Sequence, residues 1–337
     1  MNGDDPVVVA LDAGNSKTDT VVVDAEGTVL ASARTGGFRP SAVGLATAFT
    51  ELTDGIELAL RRAGDPPVEL LAAYLANADL PAEEERYAAD LTARGYARRV
   101  VVGNDTFALL RSGVVAGASA PQGVAVVCGA GINCVGLAPD GSTARFLALG
   151  PTTGDWGGGG TLVNEVMYAA TRAEDGRGPE TDLRPAVADL FGLPTALDVA
   201  LAVHLGRIPA PDLHALVPVL FDVAAAGDVV ARAIARRQAE EVVAMARVAL
   251  QRLGLDAAPV DVVLGGGVLA GGHRVLLDAV REGVLAVAPG ARFVVPDAPP
   301  VLGAALLALD GLGLGSEARA RAERRLRSGA VAAAQPV

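Results

Sequence analysis

Two stretches of this chain follow the same design, and they constrain the fold more than any other feature. In residues 7–24 an apolar run ends at Asp12, passes through small polar residues and resumes at Thr20. In residues 124–143 a second apolar run ends at Cys128, passes through a glycine loop and resumes. Each pattern predicts strands joined by a tight loop and followed by an acidic turn. Two such copies predict a duplicated domain, with one loop of this kind in each half.

The first loop has the composition of a phosphate-binding site. It offers backbone N–H groups, hydroxyls and one ammonium group, from Gly14, Asn15, Ser16, Lys17 and Thr18. Lys17 is the only lysine in the chain, and the carboxylate of Asp12 is available for a metal ion. The alternative is an ordinary hairpin with Gly14-Asn15 as its turn.

Composition excludes several classes of protein. The 337 residues are enough for two domains, and the net charge of -11 argues against nucleic acid as a partner. The longest uncharged stretch is interrupted by polar residues and proline, so we expect no membrane association. The two cysteines and three histidines have no metal-ligand spacing, and no leader pattern follows Met1. We therefore expect a cytoplasmic protein.

The order of the remaining patterns predicts two α/β domains with mixed sheets. Antiparallel strands come first in each half, and strand–helix alternation follows. The third strand of the second half is expected over Ala144–Leu149, and Pro81 is expected to start a helix in the first half. We expect the first domain to span residues 1–115 and to be completed by a C-terminal helix at 310–328. The second domain is expected to span residues 116–309, with a helical insertion at 181–227.

Asp105 is the candidate catalytic residue. It follows the apolar run Val100–Val102 and precedes a helix, so it lies at the carboxyl end of a strand, the edge at which α/β proteins bind ligands. A carboxylate there can take the proton of an attacking hydroxyl while loop donors and a metal ion hold a triphosphate. The alternative is that Asp105 only caps the helix that follows.

Two glycine-rich segments are weaker candidates. In Gly154–Gly160, Asp155 can accept hydrogen bonds from sugar hydroxyls, and the glycines allow a ligand to approach the backbone. The alternative there is a flexible turn with Trp156 in the core. After a later strand, Gly265–Gly267 would let a flat or phosphorylated ligand rest on backbone; the alternative is a tight strand–helix crossing.

The motifs resemble those of the superfamily of sugar kinases, heat-shock ATPases and actin. Leu11–Thr18 is similar to its first phosphate motif, Cys128–Cys134 to its second, and Leu264–Val268 to its adenosine motif. Asn104-Asp105 and Gly154–Gly157 resemble the N-acetylglucosamine kinase branch of the BadF/BadG/BcrA/BcrD ATPase family. The resemblance runs in order from Val7 to Leu309.

This resemblance implies two ribonuclease-H-like (actin-like ATPase) domains with a ligand cleft between them, and a homodimer. ATP and Mg2+ would bind in the cleft, with Asp12 holding the metal ion and Asp105 acting as the base. The phosphate and nucleotide contacts would come from the first loop and from Gly129, Ala130, Gly131, Gly265, Gly266 and Gly267. The sugar contacts would come from Arg39, Asn104, Asp105, Asn133, Asp155 and Trp156.

The activity implied by the resemblance is ATP-dependent phosphorylation of an amino sugar, with N-acetylglucosamine at its 6-hydroxyl as the leading substrate. Glucosamine, N-acetylmuramic acid and a non-catalytic, nucleotide-dependent sugar sensor are the alternatives. Two residues depart from the family pattern. Ala130 replaces a threonine, which removes one phosphate contact. Arg39 replaces a sugar-contacting asparagine, and its guanidinium matches a carboxylate, as in an acidic sugar. The alternative is that Arg39 points to solvent or pairs with Asp24 or Glu26.

Two related groups are disfavoured. The zinc-bearing sugar kinases called ROK carry the pattern C-x-C-G-x-x-G-C, which this chain lacks. The dehydratase activators of the same ATPase family hold an iron–sulfur cluster between subunits. Here both cysteines, Cys128 and Cys134, lie within the second phosphate motif.

Overall fold

The chain forms two compact units. The structure is a computed structural model that describes residues 6–114 and 122–328. One unit comprises Met1–Ala125, Val135–Leu147 and Val294–Val337, and the other comprises Val126–Cys134 and Ala148–Phe293. The expected α/β class is confirmed, with two five-stranded sheets. The expected boundary at residues 115 and 116 lies outside the described residues.

The first sheet is mixed and is built from the N-terminal part of the chain. Its strands are β1 (Val7–Ala13), β2 (Lys17–Val23), β3 (Val29–Gly36), β4 (Val68–Leu75) and β5 (Arg99–Asn104). Their order is β3-β2-β1-β4-β5. The pairs β1–β2 and β2–β3 are antiparallel, whereas β1–β4 and β4–β5 are parallel. The carboxyl ends of β1, β4 and β5 therefore lie at one edge of the sheet.

The first hairpin is longer than the sequence predicts. Apolar patterning predicts that β1 ends at Leu11 and that β2 begins at Thr20. In the structure Asp12 pairs with Asp19 and Ala13 with Thr18, and only residues 14–16 form the loop. The ladder is made by backbone groups, which continue to pair although the side chains have become polar.

The second sheet repeats the topology of the first. Its strands are β6 (Gly123–Cys128), β7 (Ile132–Leu137), β8 (Thr143–Arg145), β9 (Val260–Gly265) and β10 (Ala291–Val294). Their order, β10-β9-β6-β7-β8, again places two following strands on one side of the opening strand and two later strands on the other. The expected duplication is confirmed. The third strand, expected to reach Leu149, ends at Arg145, and a 3-10 helix forms over Gly150–Thr153.

Helices cover the sheets and fill the segment before β9. In the described residues they are α1 (Pro40–Val43), α2 (Leu45–Ala63), α3 (Pro81–Ala93), α4 (Asp105–Gly113), α5 (Gly158–Glu174), α6 (Leu183–Phe191), α7 (Ala196–His204), α8 (Leu216–Ala226), α9 (Val229–Arg252), α10 (Gly267–Ala270), α11 (Arg274–Leu285), α12 (Val301–Gly311) and α13 (Ser316–Arg327).

The strands of the first sheet divide their side chains between two cores. Val9 and Leu11 pack with Leu52 of α2, whereas Val8 and Ala10 face the other way and pack with residues of α12 and α13. This alternation follows from the two-residue period of a strand. One core of the first unit therefore contains residues from both ends of the chain.

Within residues 6–114 and 122–328, no single helix has the length and apolar composition to cross a bilayer, and two sharply bent helix pairs meet that criterion only when taken together.

Candidate active site

Three acidic residues lie where neighbouring strands of the first sheet end. Asp12 is on β1, Asp79 follows β4, and Asp105 follows β5. The charge of Asp105 raises the pKa of both Asp12 and Asp79, which places all three carboxyl groups in one electrostatic cluster. A cluster of this kind at the carboxyl edge of an α/β sheet is the candidate active site of the first unit.

Asp12 is a buried carboxyl group that is costly to ionise. Its pKa is raised well above the usual value, first by burial and then by the charges of Asp105 and Asp19, while Lys17 acts in the opposite direction. Across residues 6–114 and 122–328, no group of three or more His, Cys, Asp or Glu side chains could hold a metal ion. Mg2+ commonly binds one or two carboxylates and completes its shell with water and substrate phosphates. Asp12 fits that role, because a cation would compensate its charge.

Lys17 is already engaged in an ion pair. Its Nζ lies 2.9 Å from Oδ2 of Asp19, whose side chain is fully buried. Arg34 binds the same carboxylate through two nitrogens, at 2.5 and 3.1 Å. Because 45% of the Lys17 side chain remains exposed, its ammonium can meet a second anion from solvent. The sequence pattern missed Asp19 and Arg34, since both read as ordinary strand residues.

The first loop is fixed by hydrogen bonds to two neighbouring segments. The backbone N–H of Phe38 donates to the carbonyl of Gly14 at 2.9 Å. Asn77 donates to Oδ1 of Asn15 at 3.1 Å and to the carbonyl of Phe38 at 2.9 Å. Gly37 is required by this packing, because a Cβ atom there would lie 2.2 Å from the Asn15 carbonyl oxygen.

The residues of that loop differ in accessibility. Asn15 and Ser16 are exposed and Gly14 is half-buried. Thr18 is buried, and its hydroxyl donates to the carbonyl of Gly36 at 2.8 Å. Ser16 is thus the accessible hydroxyl of the pair, whereas that of Thr18 is used within the sheet.

Asp105 is not the cap of its helix. The N-cap of α4 is Asn104, whose Oδ1 accepts a hydrogen bond from the backbone N–H of Thr106 at 3.0 Å. Asp105 is the first helical residue and is half-buried. Burial raises the pKa of Asp105 to about 6, against hydrogen bonds from Thr106 that lower it. The N-cap of α4 is therefore Asn104 rather than Asp105, and the role of Asp105 as a base stays a prediction.

Asn104 is held inside the protein rather than presented at the surface. It is 2% exposed. Its Nδ2 donates to Oδ1 of Asp79 at 2.8 Å, and its backbone N–H donates to Glu84 at 3.1 Å. Glu84 also forms a bidentate pair with Arg145, with both N–O distances at 2.8 Å. Asn104 therefore caps and positions the start of α4, and its expected sugar contact stays a prediction.

Arg39 lies directly after the segment that holds the first loop. It precedes α1, and its side chain is exposed. Among residues 6–114 and 122–328, no acidic group forms an ion pair with it, so the alternative pairing with Asp24 or Glu26 is absent. Asp24 instead accepts hydrogen bonds from the backbone N–H groups of Glu26 and Thr28.

In the second unit, the start of α5 packs against the loop that follows β6. The N–H of Gly159 donates to the Gly129 carbonyl at 2.7 Å, and that of Gly160 donates to the Ala130 carbonyl at 3.0 Å. Gly158 has a φ of +83°, and a Cβ atom there would lie 2.5 Å from the backbone of Gly131. The sequence predicts that this glycine run lets a ligand approach the backbone. In the structure, the segment that approaches Gly158 most closely is the loop of Gly129–Gly131.

The glycines of the second unit fall into two groups. Gly266, like Gly158, has a positive φ, and its Cβ position lies 2.4 Å from the Cys128 carbonyl oxygen. Gly129, Gly131 and Gly267 instead border open space, with no atom within 4 Å of their Cβ positions. The first group allows segments of the protein to pack closely, and the second leaves room beside the loops for a ligand.

The remaining candidates of the second unit are partly enclosed. Asp155 is half-buried and accepts a hydrogen bond from the Thr153 hydroxyl at 2.5 Å. Trp156 is also half-buried, not in the core, and the Arg237 guanidinium lies 4.1 Å from its ring centre. Asn133 is buried, and its Oδ1 accepts from the N–H of Cys134 at 2.7 Å.

The two cysteines are inert groups. Both are buried, and neither forms a disulfide within the described residues. Burial raises the pKa of Cys128 to about 12 and also raises that of Cys134, so neither is a thiolate at neutral pH.

The two five-stranded sheets have the same relative strand order, and each begins with a hairpin that carries one of the candidate phosphate loops. This duplicated arrangement is that of the actin-like ATPase fold. The sequence profile of the BadF/BadG/BcrA/BcrD ATPase family matches residues 9–308, and the chain belongs to this family. The expected fold and family are thereby confirmed.

Curated relatives and solved structures agree with this placement. The N-acetyl-D-glucosamine kinase of Dictyostelium discoideum is 24% identical over 319 residues, which cover 90% of this chain and 98% of the relative. The N-acetylmuramic acid/N-acetylglucosamine kinase of Clostridium acetobutylicum is 24% identical over 267 residues, covering 78% and 85%. The structure of a candidate N-acetylglucosamine kinase from Chromobacterium violaceum superposes with a TM-score of 0.68 at 24% identity, covering 90% of this chain and 99% of that one. At this identity the structural match shows the fold.

Proposed function

We propose that this protein is an ATP-dependent sugar kinase that phosphorylates N-acetylglucosamine at its 6-hydroxyl. The observation that carries the proposal is Asp105, a half-buried carboxyl group at the start of α4 with a pKa raised to about 6 by burial. A general base works best when its pKa lies near the working pH. Membership of an ATPase family and the names of two curated relatives support the choice of reaction.

In the proposed reaction Asp105 accepts the proton of the sugar hydroxyl as that oxygen attacks the γ-phosphorus of ATP. The bond between the γ-phosphorus and the β–γ bridging oxygen breaks, and ADP leaves. Gly14, Asn15, Ser16 and Lys17 are assigned to the phosphates, and Asp12 to Mg2+. When bound, the metal ion supplies charge neutralisation for the triphosphate. Since the Thr18 hydroxyl already donates within the sheet, we assign Thr18 to shaping the loop.

The second unit is assigned the remaining contacts. We propose that Gly129, Ala130 and Gly131 contact phosphate and that Gly265–Gly267 contact the nucleoside, because open space borders three of these glycines. Asn133, Asp155 and Trp156 are assigned to the sugar. Asn104 is assigned to positioning Asp105, since both ends of its amide are engaged.

The wider organisation is proposed on the same basis. Every strand of the first sheet lies within residues 1–115 and every strand of the second within residues 116–309, so we propose that these ranges carry the two domains. The segment that completes the first domain begins before residue 310, because Val294–Val337 belongs to the first compact unit. A homodimer that acts in the cytoplasm, where ATP is available, is proposed from the family resemblance. Light scattering of the purified protein tests the dimer.

A sugar panel tests the activity. The protein is incubated with Mg2+–ATP and N-acetylglucosamine, glucosamine, N-acetylmuramic acid or glucose, and ADP release is followed. We expect the largest kcat/KM for an N-acetylated amino sugar, and NMR of the product should show phosphate on the 6-oxygen. If no sugar stimulates ADP release while calorimetry still detects nucleotide binding, the protein is a nucleotide-dependent sensor rather than a kinase.

Arg39 favours an acidic amino sugar as a second candidate substrate. Its exposed guanidinium has no ion pair among the described residues, and one curated relative is named for N-acetylmuramic acid as well as N-acetylglucosamine. A charge-assisted hydrogen bond contributes about 1.5–3 kcal/mol. Arg39→Asn should therefore lower kcat/KM by about ten- to a hundredfold on N-acetylmuramic acid and leave N-acetylglucosamine unchanged. Equal changes on both sugars would remove this candidate.

A further inference from the structure

The loop between β4 and α3 joins the two parts of the first-unit site. No residue of this loop, residues 76–80, is assigned to ATP, Mg2+ or sugar in the proposed reaction. Asn77 in it donates to Asn15 of the first loop, and Asp79 in it accepts from Asn104 at the start of α4. Asn77 has a φ of 64°, a conformation that asparagine tolerates better than most residues. The short segment thus holds the proposed phosphate loop and the proposed base at once.

Asp79 acts on Asp105 through a defined chain of hydrogen bonds. Its Oδ1 accepts from Asn104 Nδ2 at 2.8 Å, and Asn104 Oδ1 accepts from the N–H of Thr106 at 3.0 Å. The two bonds use opposite ends of one buried amide, so each fixes the orientation of the other. Because Asp105 lies between Asn104 and Thr106, the direction of its carboxylate depends on this chain.

Asp79 is itself held in place on its other side. Oε2 of Glu83 accepts hydrogen bonds from the backbone N–H groups of Asp79 and Leu80, each at 3.0 Å. Arg145 donates to the carbonyls of Ala78 and Asp79 at 3.3 and 3.5 Å. These contacts fix the backbone of Asp79, so its carboxyl group is a stable support for Asn104.

The carboxyl group of Asp79 also interacts with Asp105 by charge. Its pKa is raised to about 7, first by burial and then by Asp105 and Glu83, while the hydrogen bond from Asn104 and the charge of Arg145 lower it.

We propose that Asp79 is a positioning residue for the proposed phosphoryl transfer: through Asn104 it fixes the start of α4 and the direction of the Asp105 carboxylate. This inference rests on the proposed function for its kinetic consequence. Its structural consequence can be measured without activity, so the two can fail separately.

Two substitutions separate the hydrogen bond from the charge. In Asp79→Asn the new amide oxygen can still accept from Asn104, whereas Asp79→Ala removes both the acceptor and the charge. Asp90→Asn is the matched control, since Asp90 is an exposed acid on α3 with the same charge change. All variants are made in the full chain.

The positional part is tested by hydrogen exchange and by turnover. We expect faster amide exchange over residues 104–113 in Asp79→Ala and unchanged exchange in Asp79→Asn. If the kinase assay succeeds, kcat of Asp79→Ala should fall about ten- to a hundredfold, with Asp79→Asn restoring most of it. Unchanged exchange in Asp79→Ala would overturn the proposal whether or not the protein is a kinase.

The protonation of the Asp79 carboxyl group beside Asn104 is tested by the pH dependence of stability. Between about pH 4 and pH 7 the folded state retains the proton of Asp79 whereas the unfolded chain has lost it, so this group costs stability as the pH rises. The Tm of Asp79→Asn relative to wild type should therefore be higher at about pH 8 than at about pH 4.5. A Tm difference that does not change with pH would show that the folded state does not hold Asp79 as a buried carboxyl group against Asn104, and would overturn the proposal.

Discussion

Asp12 and Asp19 lie directly opposite each other in the antiparallel β1–β2 ladder, and Lys17 acts on both. Its Nζ lies 2.9 Å from Asp19, and its charge lowers the pKa of Asp12. Like charges directly opposite each other destabilise a ladder. The pair is tolerated because Lys17 and Arg34 neutralise Asp19, which leaves Asp12 as the carboxyl group that a metal ion would compensate.

The proposed contact between Lys17 and phosphate can be tested by chemical labelling, because Lys17 is the only lysine in the chain. If its ammonium meets the phosphates of ATP, Mg2+–ATP should slow acetylation of Lys17 by an amine-reactive ester, measured by mass spectrometry of the peptide that contains it. The N-terminal amine in the same sample is the control and should react at an unchanged rate. Equal labelling of Lys17 with and without nucleotide would contradict its assignment to phosphate.

Asp105→Asn should abolish most of the turnover. The cap of α4 is Asn104, so the substitution leaves the helix start intact while it removes the proton acceptor. We expect kcat to fall by roughly two to four orders of magnitude, with the Kd for ATP within about threefold of wild type. Calorimetry measures the nucleotide affinity. Near-normal turnover in this variant would exclude Asp105 as the base.

The pH dependence of kcat should report the ionisation of Asp105. A base must be ionised to accept a proton, and burial raises the pKa of Asp105 to about 6. We expect kcat to be nearly constant above about pH 7 and to fall toward tenfold per pH unit below about pH 6. Circular dichroism at each pH separates this loss from unfolding. A profile that stays level to about pH 5 would contradict the assignment.

Gly158 and Gly160 provide a matched test of the packing between α5 and the loop of Gly129–Gly131. Gly158→Ala meets both a positive φ and a contact of 2.5 Å, and should cost at least about 2 kcal/mol of unfolding free energy. Gly160→Ala places its Cβ 3.4 Å from the Ala130 carbonyl oxygen and should be neutral or slightly stabilising. Urea denaturation of both variants measures the difference. Equal stabilities would show that the loop moves aside.

The sequence predicted the parts of the fold that depend on local patterns. Apolar runs located most strands, and Pro81 correctly marked the start of α3. The pattern failed where polar residues continue a strand, as at Asp12 and Lys17, because backbone pairing does not depend on side-chain polarity. It also failed after Arg145, where Ala148 adopts a φ of 52° that composition does not reveal.

The candidate site was only partly predictable. Asp105 could be found because it follows an apolar strand. The same rule, applied to β4, would have identified Asp79, but Asp79 reads as part of a turn before Pro81. Other features depend on contacts between segments that are distant in sequence, which a single sequence does not reveal. They are the hydrogen bond that holds Asn104 against Asp79 and the close packing that Gly158 and Gly266 allow against the loop after β6.

The packing of Val8 and Ala10 against α12 and α13 has a consequence for synthesis of the chain. That face of the first sheet receives its cover only when residues 301–326 have left the ribosome, after the whole of the second sheet has been made. Until then the first sheet exposes apolar side chains, as incomplete folding intermediates do. Nascent chains that stop before α12 should therefore depend on chaperones, although all five strands of the first sheet are already present.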